Sequence, residues 1–334
     1  ILHPTGRPVL GNDPQLSKLW LVDAIKTRQA WAVHHDASEV IVAVIDTGVF
    51  VKHEDLAGNL WINDREVPGN GKDDDGNGYI DDIRGWDFGS ADGDPTPDEC
   101  YRRVSSHGTH VAGTIGAVGG NAVGISGVAP KVRIMPLKVA LGPKSLYFCG
   151  IMPTSNILEA VMYAVDNGAK IINLSLGGGY PSKIAEVIYK LASDNGALVV
   201  ASAGNESMNN DGPGISALMH PFVGTEVAPL YPASYPASGI VSVAATKRPQ
   251  STGGRARLVR AWDFPFKKRY IFHAYWAFRA VNPRFSPAGR LQYDTLKALA
   301  PGKIPLGSNY GGRSVHIAAP GKHIYSSVAV QAKS

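Results

Sequence analysis

Residues 39–48 read EVIVAVIDTG, an unbroken apolar run rich in β-branched side chains that ends in Asp46, Thr47 and Gly48. Such a run is typical of a strand that is buried on both faces, as in a parallel sheet. An aspartate directly after a buried strand is costly unless a partner compensates its charge. On position alone, Asp46 could be a turn or helix-capping residue, or it could belong to a functional site.

The rest of the chain alternates between strand-like and helix-like segments. Further strands are predicted at 132–139, 170–176, 197–203 and 240–245, and helices at 107–118, 157–167 and 182–195. Asn156 is expected to cap the second of these helices. The alternation predicts an α/β fold with a central parallel sheet and helices on both faces. Functional groups in such sheets gather beyond the carboxyl ends of strands, where Asp46, Ser175 and Asn205 lie.

The composition is that of a globular protein, with 334 residues, 44 % hydrophobic and 18 % charged. The net charge of +5 is unevenly spread, because residues 247–303 hold 13 Lys/Arg and two acids, or +11, which leaves −6 for the remainder. We therefore expect no nucleic-acid partner from the overall basic balance. No apolar run reaches the ~18 residues of a membrane span, so no membrane span is expected.

The two cysteines, Cys100 and Cys149, allow one bridge or two unpaired thiols, and we expect them to be unpaired. The sequence starts at Ile1 without a basic-then-apolar leader, so any signal peptide is expected to be cleaved or missing. These observations leave the compartment open.

Residues 105–114, SSHGTHVAGT, place His107 among residues that are too small to pack around it. A lone histidine is most often structural. Together with Asp46 and Asn205, however, His107 completes a set in which an acid orients a histidine base and an amide donates to an oxyanion. The order, acid before histidine, is that of subtilisin.

Several motifs resemble the subtilisin-like serine proteases, peptidase family S8, over roughly residues 11–247 and 307–328. They are AVIDTGV (43–49), HGTHVAGT (107–114), GVAP (127–130), NLSLGG (173–178), ASAGN (201–205) and HIAAPG (316–321). The resemblance implies a three-layer subtilisin-like fold forming a single catalytic domain over residues 1–334. It also implies that Asp46 and His107 are catalytic, that Asn205 stabilises the oxyanion, and that Ser175, Leu176 and Gly177 hold the substrate backbone.

The nucleophile of that family lies in a G-T-S-M-A segment, which is not found in residues 1–334. Ser326, Ser327 and Ser334 lack the flanking glycine, so none of them is assigned the role. We expect the C-terminal part of the fold to be missing and the chain as given to be inactive. It would then be a fragment or incomplete gene model of an endopeptidase. The alternative is a non-catalytic subtilase relative that binds peptides or inhibitors.

The segment GKDDDGNGYIDD (71–82) resembles the first half of an EF-hand loop. Arg84 occupies the place of the twelfth-position glutamate, which excludes an EF-hand proper. Five aspartates within ten residues repel one another without a cation, so calcium is predicted rather than a solvated acidic turn. The expected ligands are the side chains of Asp73, Asp75, Asn77 and Asp82 and the carbonyl of Tyr79.

Two more calcium sites are implied by the resemblance alone. The strong site of the family matches Asp13, Asp55, Asn121 and the carbonyls of Val123 and Ile125. A weaker site of the thermitase-like branch matches Asp87, Asp94 and Thr96.

Residues 249–306 interrupt the family pattern with a basic, aromatic-rich insert of doubtful authenticity. Mis-spliced sequence is the preferred interpretation, with an accessory loop or a nucleic-acid or membrane-surface patch as alternatives. For the whole chain, the resemblance implies a secreted, calcium-dependent monomer. Its partners would be peptide substrates and its own inhibitory propeptide.

Overall fold

The computed structural model describes residues 12–100, 103–104, 106–143, 149–205, 210–211, 229–247, 257–258, 314–320, 324 and 326–327. The chain packs as two compact units. The first unit comprises Ile1–Leu174, Asp194–Leu198 and Tyr325–Ser334, and the second comprises Ser175–Ser193 and Val199–Ile324. The prediction of a single catalytic domain stays a prediction.

The elements follow one another in βα alternation through most of the described chain. The helices are α1 (Trp20–Ala24), α2 (Thr27–Val33), α3 (His107–Gly116), α4 (Thr154–Asp166) and α5 (Lys183–Asp194), with 3-10 turns at Leu16–Lys18 and Ala57–Asn59. The strands are β1 (Ala37–Asp46), β2 (Trp86–Asp87), β3 (Glu99–Cys100), β4 (Arg103–Val104), β5 (Val132–Lys138), β6 (Ile171–Leu174), β7 (Leu198–Ser202), β8 (Ile240–Lys247), β9 (Arg257–Leu258) and β10 (Ile317–Pro320). The predicted helices and strands of 39–245 are therefore present with small changes at their ends.

The first unit is built around β1, whose neighbours in the sheet are β5 on one side and β6 on the other, with β2 beyond β5. All these pairings are parallel, and Asp46 at the end of β1 is in register with Lys138 at the end of β5. The side chains of β1 from Ile41 to Ile45 are buried because both faces of this strand are covered. Helices α3 and α4 both pack against β1.

Helix α4 begins at a different residue from the one predicted. Its N-cap is Pro153, in an extended conformation, and Asn156 lies within the first turn. The Asn156 amide donates instead to the carbonyl of Phe88, 2.9 Å away. The predicted capping role of Asn156 is therefore wrong, because the helix already begins at Thr154 and Asn156 lies inside it.

In the second unit, β8 lies between β7 and β10 with parallel pairing on both sides. Of the insert at 249–306, the structure describes β9, which pairs antiparallel with the end of β8. The remainder of the prediction for the insert lies outside the described residues. Helix α5 buries Ala185, Tyr189 and Ala192 on one face.

Cys149 is disulfide-bonded. The expectation of unpaired thiols is therefore wrong, and the sequence signal that favoured it, a count of only two cysteines, was uninformative about pairing. Among the described helices, none is both long and apolar enough to cross a bilayer.

Candidate active site

Asp46 is the last residue of β1 and is 1 % exposed. Its Oδ1 accepts hydrogen bonds from the backbone N–H of Thr47 and from Nδ1 of His107, each at 2.7 Å. Its Oδ2 is buried and has no hydrogen-bond partner within the described part of the chain. A positive charge on the histidine would stabilise a buried carboxylate of this kind, because charge-assisted hydrogen bonds are stronger than neutral ones.

His107 is the first residue of α3, and its side chain is 13 % exposed. The carboxylate at Nδ1 holds the ring in the orientation and tautomer that make Nε2 the proton acceptor. Asp46 and His107 are 61 positions apart in the chain and meet because a strand end and a helix start converge. The predicted pairing of these two residues is therefore present in the structure.

Small residues around His107 allow this close approach. A Cβ added to Gly108 would lie 2.3 Å from the carbonyl oxygen of Gly48 and 3.0 Å from Cβ of Asp46. The backbone N–H of Gly108 donates to Oγ1 of Thr47 at 3.2 Å. Glycine is thus required at 108 because the helix start rests directly on the turn after β1.

Replacing Gly108 by alanine tests this contact. Helix propensity alone would raise the free energy of unfolding by up to about 1 kcal/mol. The clash with Gly48 should outweigh this effect and lower the free energy of unfolding by about 2–3 kcal/mol. Urea unfolding measures the change. Gly178→Ala is the matched control, since its added Cβ would meet nothing within 4 Å. A Gly108→Ala protein as stable as the parent would show that the helix start is not tightly seated.

The other predicted active-site residues belong to the second unit. Ser175, Leu176 and Gly177 directly follow β6, and Asn205 lies three residues beyond the end of β7. The segment after Gly177 is fixed by a reciprocal backbone pair between Gly178 and Tyr231, at 2.9 Å in each direction. The participation of these four residues in a common site with Asp46 and His107 stays a prediction.

The residues that match the strong calcium site of the family lie together in the first unit. Asp13 and Asp55 are buried, and Asp55 accepts from the Asn121 amide at 3.0 Å and from the N–H of Ile125 at 2.9 Å. Asn121 in turn accepts from the N–H of Val123 at 2.9 Å. Burial raises the pKa of the Asp55 carboxyl, and the charge of Asp13 raises it further, against the hydrogen bonds that lower it. A bound cation would offset the cost of keeping Asp55 ionised in this buried place beside Asp13.

The acidic loop, residues 63–82, contains a ligand candidate that the sequence pattern missed. Carboxylate oxygens of Glu66, Asp73 and Asp75 lie within 4.8 Å of one another. Glu66 is 6 % exposed and folds back to accept from the N–H groups of Asp74 and Asp75 at 2.8 and 3.1 Å. It precedes the EF-hand-like segment, so the spacing of that segment could not indicate it.

Two other predicted ligands of this loop occupy different positions. Asn77 accepts from the N–H of Tyr79 and donates to Asp82 at 3.0 Å. Asp82 is 0 % exposed and also accepts from the Asn63 amide and the Tyr163 hydroxyl. These contacts make Asp82 a buried anchor between the acidic loop and α4. Burial, followed by the hydrogen bond to Asp82, raises the pKa of Tyr163.

The acidic loop also packs against α4 through aromatic rings. Tyr79 makes edge contacts with Trp86, Phe88 and Tyr163. Its hydroxyl donates to Glu159 of α4 at 3.2 Å. Burial and the neighbouring Glu159 charge raise the pKa of Tyr79 to about 12.

The third predicted calcium set is arranged differently. Asp87 is buried and forms an ion pair with the buried Lys138, and its other oxygen accepts from the N–H of Gly89 at 2.8 Å. Asp94 is exposed and accepts from the N–H of Thr96 at 3.0 Å. Burial raises the pKa of Asp87, while Lys138 acts in the opposite direction. A cation at this place would have to share Asp87 with Lys138.

The aspartate at the end of β1 precedes its histidine partner in the chain, which is the order of these two residues in subtilisin. The chain matches the model of the Subtilase family, Peptidase_S8, over residues 37–334. It therefore belongs to the subtilase family.

Individual relatives agree with this assignment. Thermitase from Thermoactinomyces vulgaris is 32 % identical over 236 residues, which are 70 % of this chain and 65 % of that protein. An extracellular basic protease from Dichelobacter nodosus is 30 % identical over 63 % of this chain and 36 % of its own length. The chain thus spans less than two thirds of these curated relatives.

A solved structure supports the fold. The crystal structure of fervidolysin from Fervidobacterium pennivorans, described as a keratinolytic enzyme related to subtilisin, superposes with a TM-score of 0.51 at 29 % identity. The superposition covers 73 % of this chain and 30 % of fervidolysin. The three-layer α/β fold of the subtilisin type, predicted from the sequence, is confirmed.

Proposed function

We propose that this chain carries the acid and base of a subtilisin-like serine endopeptidase. The 2.7 Å contact between Asp46 Oδ1 and His107 Nδ1 is the observation that supports this role most directly. Asp46 would orient His107 and stabilise its protonated form. His107 would accept the proton of a serine hydroxyl through Nε2 as that oxygen attacks the peptide carbonyl, and would return it to the leaving amine.

The remaining roles follow from the family pattern. The Asn205 amide would donate to the oxyanion of the tetrahedral intermediate. Ser175, Leu176 and Gly177 would pair with substrate backbone as an added strand. Protein or peptide substrates are therefore the proposed partners, and the chain's own propeptide is the proposed inhibitor of a monomeric enzyme.

The nucleophile would come from a G-T-S-M-A segment, which residues 1–334 do not contain. We propose that these residues alone are inactive. Sequencing the gene around the region that encodes residues 1–334 tests the assignment: if it encodes a G-T-S-M-A segment, the polypeptide that includes this segment should hydrolyse peptides. If it encodes no such segment and the protein still binds peptide inhibitors, a non-catalytic binding relative is the correct function.

Calcium is the proposed cofactor. The donors at the Asp13–Asp55 cluster and in the acidic loop are oxygens of carboxylates and amides, which suit calcium better than zinc. Glu66, Asp73 and Asp75 would hold one ion, and Asp13, Asp55 and Asn121 another. Bound calcium would supply positive charge that offsets the repulsion among these acids.

Removing calcium should expose the acidic loop to proteases before the rest of the chain. Without a counter-ion, the clustered carboxylates repel one another and loosen residues 71–98 first. Limited proteolysis with and without a chelator, read by mass spectrometry of the fragments, measures this. A chelator effect should disappear in a Glu66→Gln/Asp73→Asn variant. Equal cutting rates within 71–98 under both conditions would count against a metal in the acidic loop.

Secretion is the proposed localisation. The disulfide at Cys149 favours an oxidising compartment, because such bonds are rare in reducing ones. The D. nodosus relative is described as extracellular. Detection of the mature protein in culture medium would test this.

A further inference from the structure

Lys138 ends β5 and is 1 % exposed, although lysine is almost never fully buried without a partner. Its Nζ forms ion pairs with Asp87 and with Asp98, the latter at 2.7 Å. One buried ammonium thus compensates two carboxylates that come from separate parts of the chain. Removing the ammonium would leave the buried Asp87 without this counter-charge, which is strongly unfavourable, and would also release the partly exposed Asp98.

The alkyl stem of Lys138 packs beneath the turn that follows Asp46. A Cβ added to Gly48 would lie 3.0 Å from Cδ of Lys138, so the stem contacts the backbone of this turn. Asp46 and Lys138 are register partners on adjacent parallel strands, where paired side chains project from the same face. Lys138 therefore packs against the carboxyl end of β1, of which Asp46 is the last residue.

The charged end of Lys138 holds the segment that leads into His107. Asp98 directly precedes β3 and β4, after which the chain enters α3 at His107. The same segment touches the Gly48 turn, because the N–H of Val49 donates to the carbonyl of Pro95 at 2.9 Å. Lys138 thus contacts both the turn that follows Asp46 and the segment that precedes His107.

We infer that Lys138, through its ion pairs with Asp98 and Asp87, is a positioning residue for the Asp46–His107 pair. Lys138 does not touch the reacting atoms. It holds the start of α3, at His107, close to the end of β1. This inference rests on the proposed function, since it concerns the geometry on which the proton transfer by His107 depends.

The test uses the whole chain and the far-downfield proton resonance of the His107 Nδ1–H, the NMR signature of its hydrogen bond to Asp46. The resonance is assigned by its loss in His107→Ala. Asp98→Asn should broaden or abolish it while the protein remains folded, because the ion pair between Lys138 and Asp87 is kept. Lys138→Met should abolish it and also lower Tm.

Lys138→Met alone could unfold the protein, so a second variant separates positioning from folding. The triple variant Lys138→Met/Asp87→Asn/Asp98→Asn removes both carboxylates together with the ammonium that they pair with and should fold, yet it should still lack the resonance. Glu39→Gln is the matched control. It breaks an exposed 3.7 Å ion pair with Arg133 on the same two strands and should leave the resonance in place.

The outcomes distinguish the inference from the function on which it rests. A parent protein without the downfield resonance would overturn the proposed Asp46–His107 pair, and with it the role of Lys138. A parent that shows the resonance, with Asp98→Asn and the folded triple variant retaining it at the same position, would overturn only the role of Lys138.

Discussion

A polypeptide of residues 1–334 is expected to hydrolyse no peptide and to remain unlabelled by a serine-directed fluorophosphonate. The Asp46–His107 pair can activate a hydroxyl only at hydrogen-bonding distance from the histidine. Ser326 instead donates to the carbonyl of His110 at 2.7 Å, and Ser327 is buried beside Gly113. Both serines are therefore engaged in packing on α3.

Intact-mass spectrometry after fluorophosphonate treatment measures the labelling, and a fluorogenic peptide measures turnover. Commercial subtilisin at equal concentration is the positive control for both assays. Covalent modification at Ser326, Ser327 or Ser334 would contradict the claim that the nucleophile comes from another segment.

In a longer polypeptide that includes a G-T-S-M-A segment, His107→Ala should lower kcat about a millionfold, and Asp46→Ala about ten-thousandfold. The histidine moves the proton in both directions, so its loss removes the nucleophile as effectively as deleting the serine. The aspartate only orients and stabilises the ring, which explains its smaller effect. The measurement is kcat at saturating peptide.

His35→Ala is the matched control, because Nδ1 of His35 donates to the nearby carbonyl of Trp31 at 3.3 Å and His35 lies outside the proposed site. It should retain the parent kcat. If His107→Ala lowered kcat by less than about a hundredfold, an amount that a 1 Å misplacement can cause, His107 would not be the general base.

The sequence was sufficient to predict the helices and strands that a short stretch of residues indicates by its own pattern. The run at 39–45 lies in β1 and is buried from Ile41 onward, and the small-residue segment at 107 forms α3, because burial and helix contact each impose their own residue pattern. The pairing of Asp46 with His107 could also be predicted, since a known order of motifs accompanied the pattern.

Features that depend on tertiary contacts could not be predicted in this way. Glu66 joins Asp73 and Asp75 only because the chain folds back on itself. Asp87 is 51 positions from Lys138 in the chain, and nothing in either neighbourhood indicates that they form a buried ion pair. Asn156 has the residue type of a cap, but the helix begins two residues before it, at Thr154, and its amide donates to the Phe88 carbonyl.

The strand order of the first unit has a consequence for biosynthesis. Both sheet neighbours of β1 follow it in the chain: β5 begins at Val132 and β6 at Ile171. At a translation rate of about 5–20 residues per second, the apolar strand waits several seconds for its first partner to emerge from the ribosome. During that interval its unpaired edges are open to association with other nascent chains. Production of this protein should therefore benefit from slower initiation or from chaperones that shield emerging hydrophobic strands.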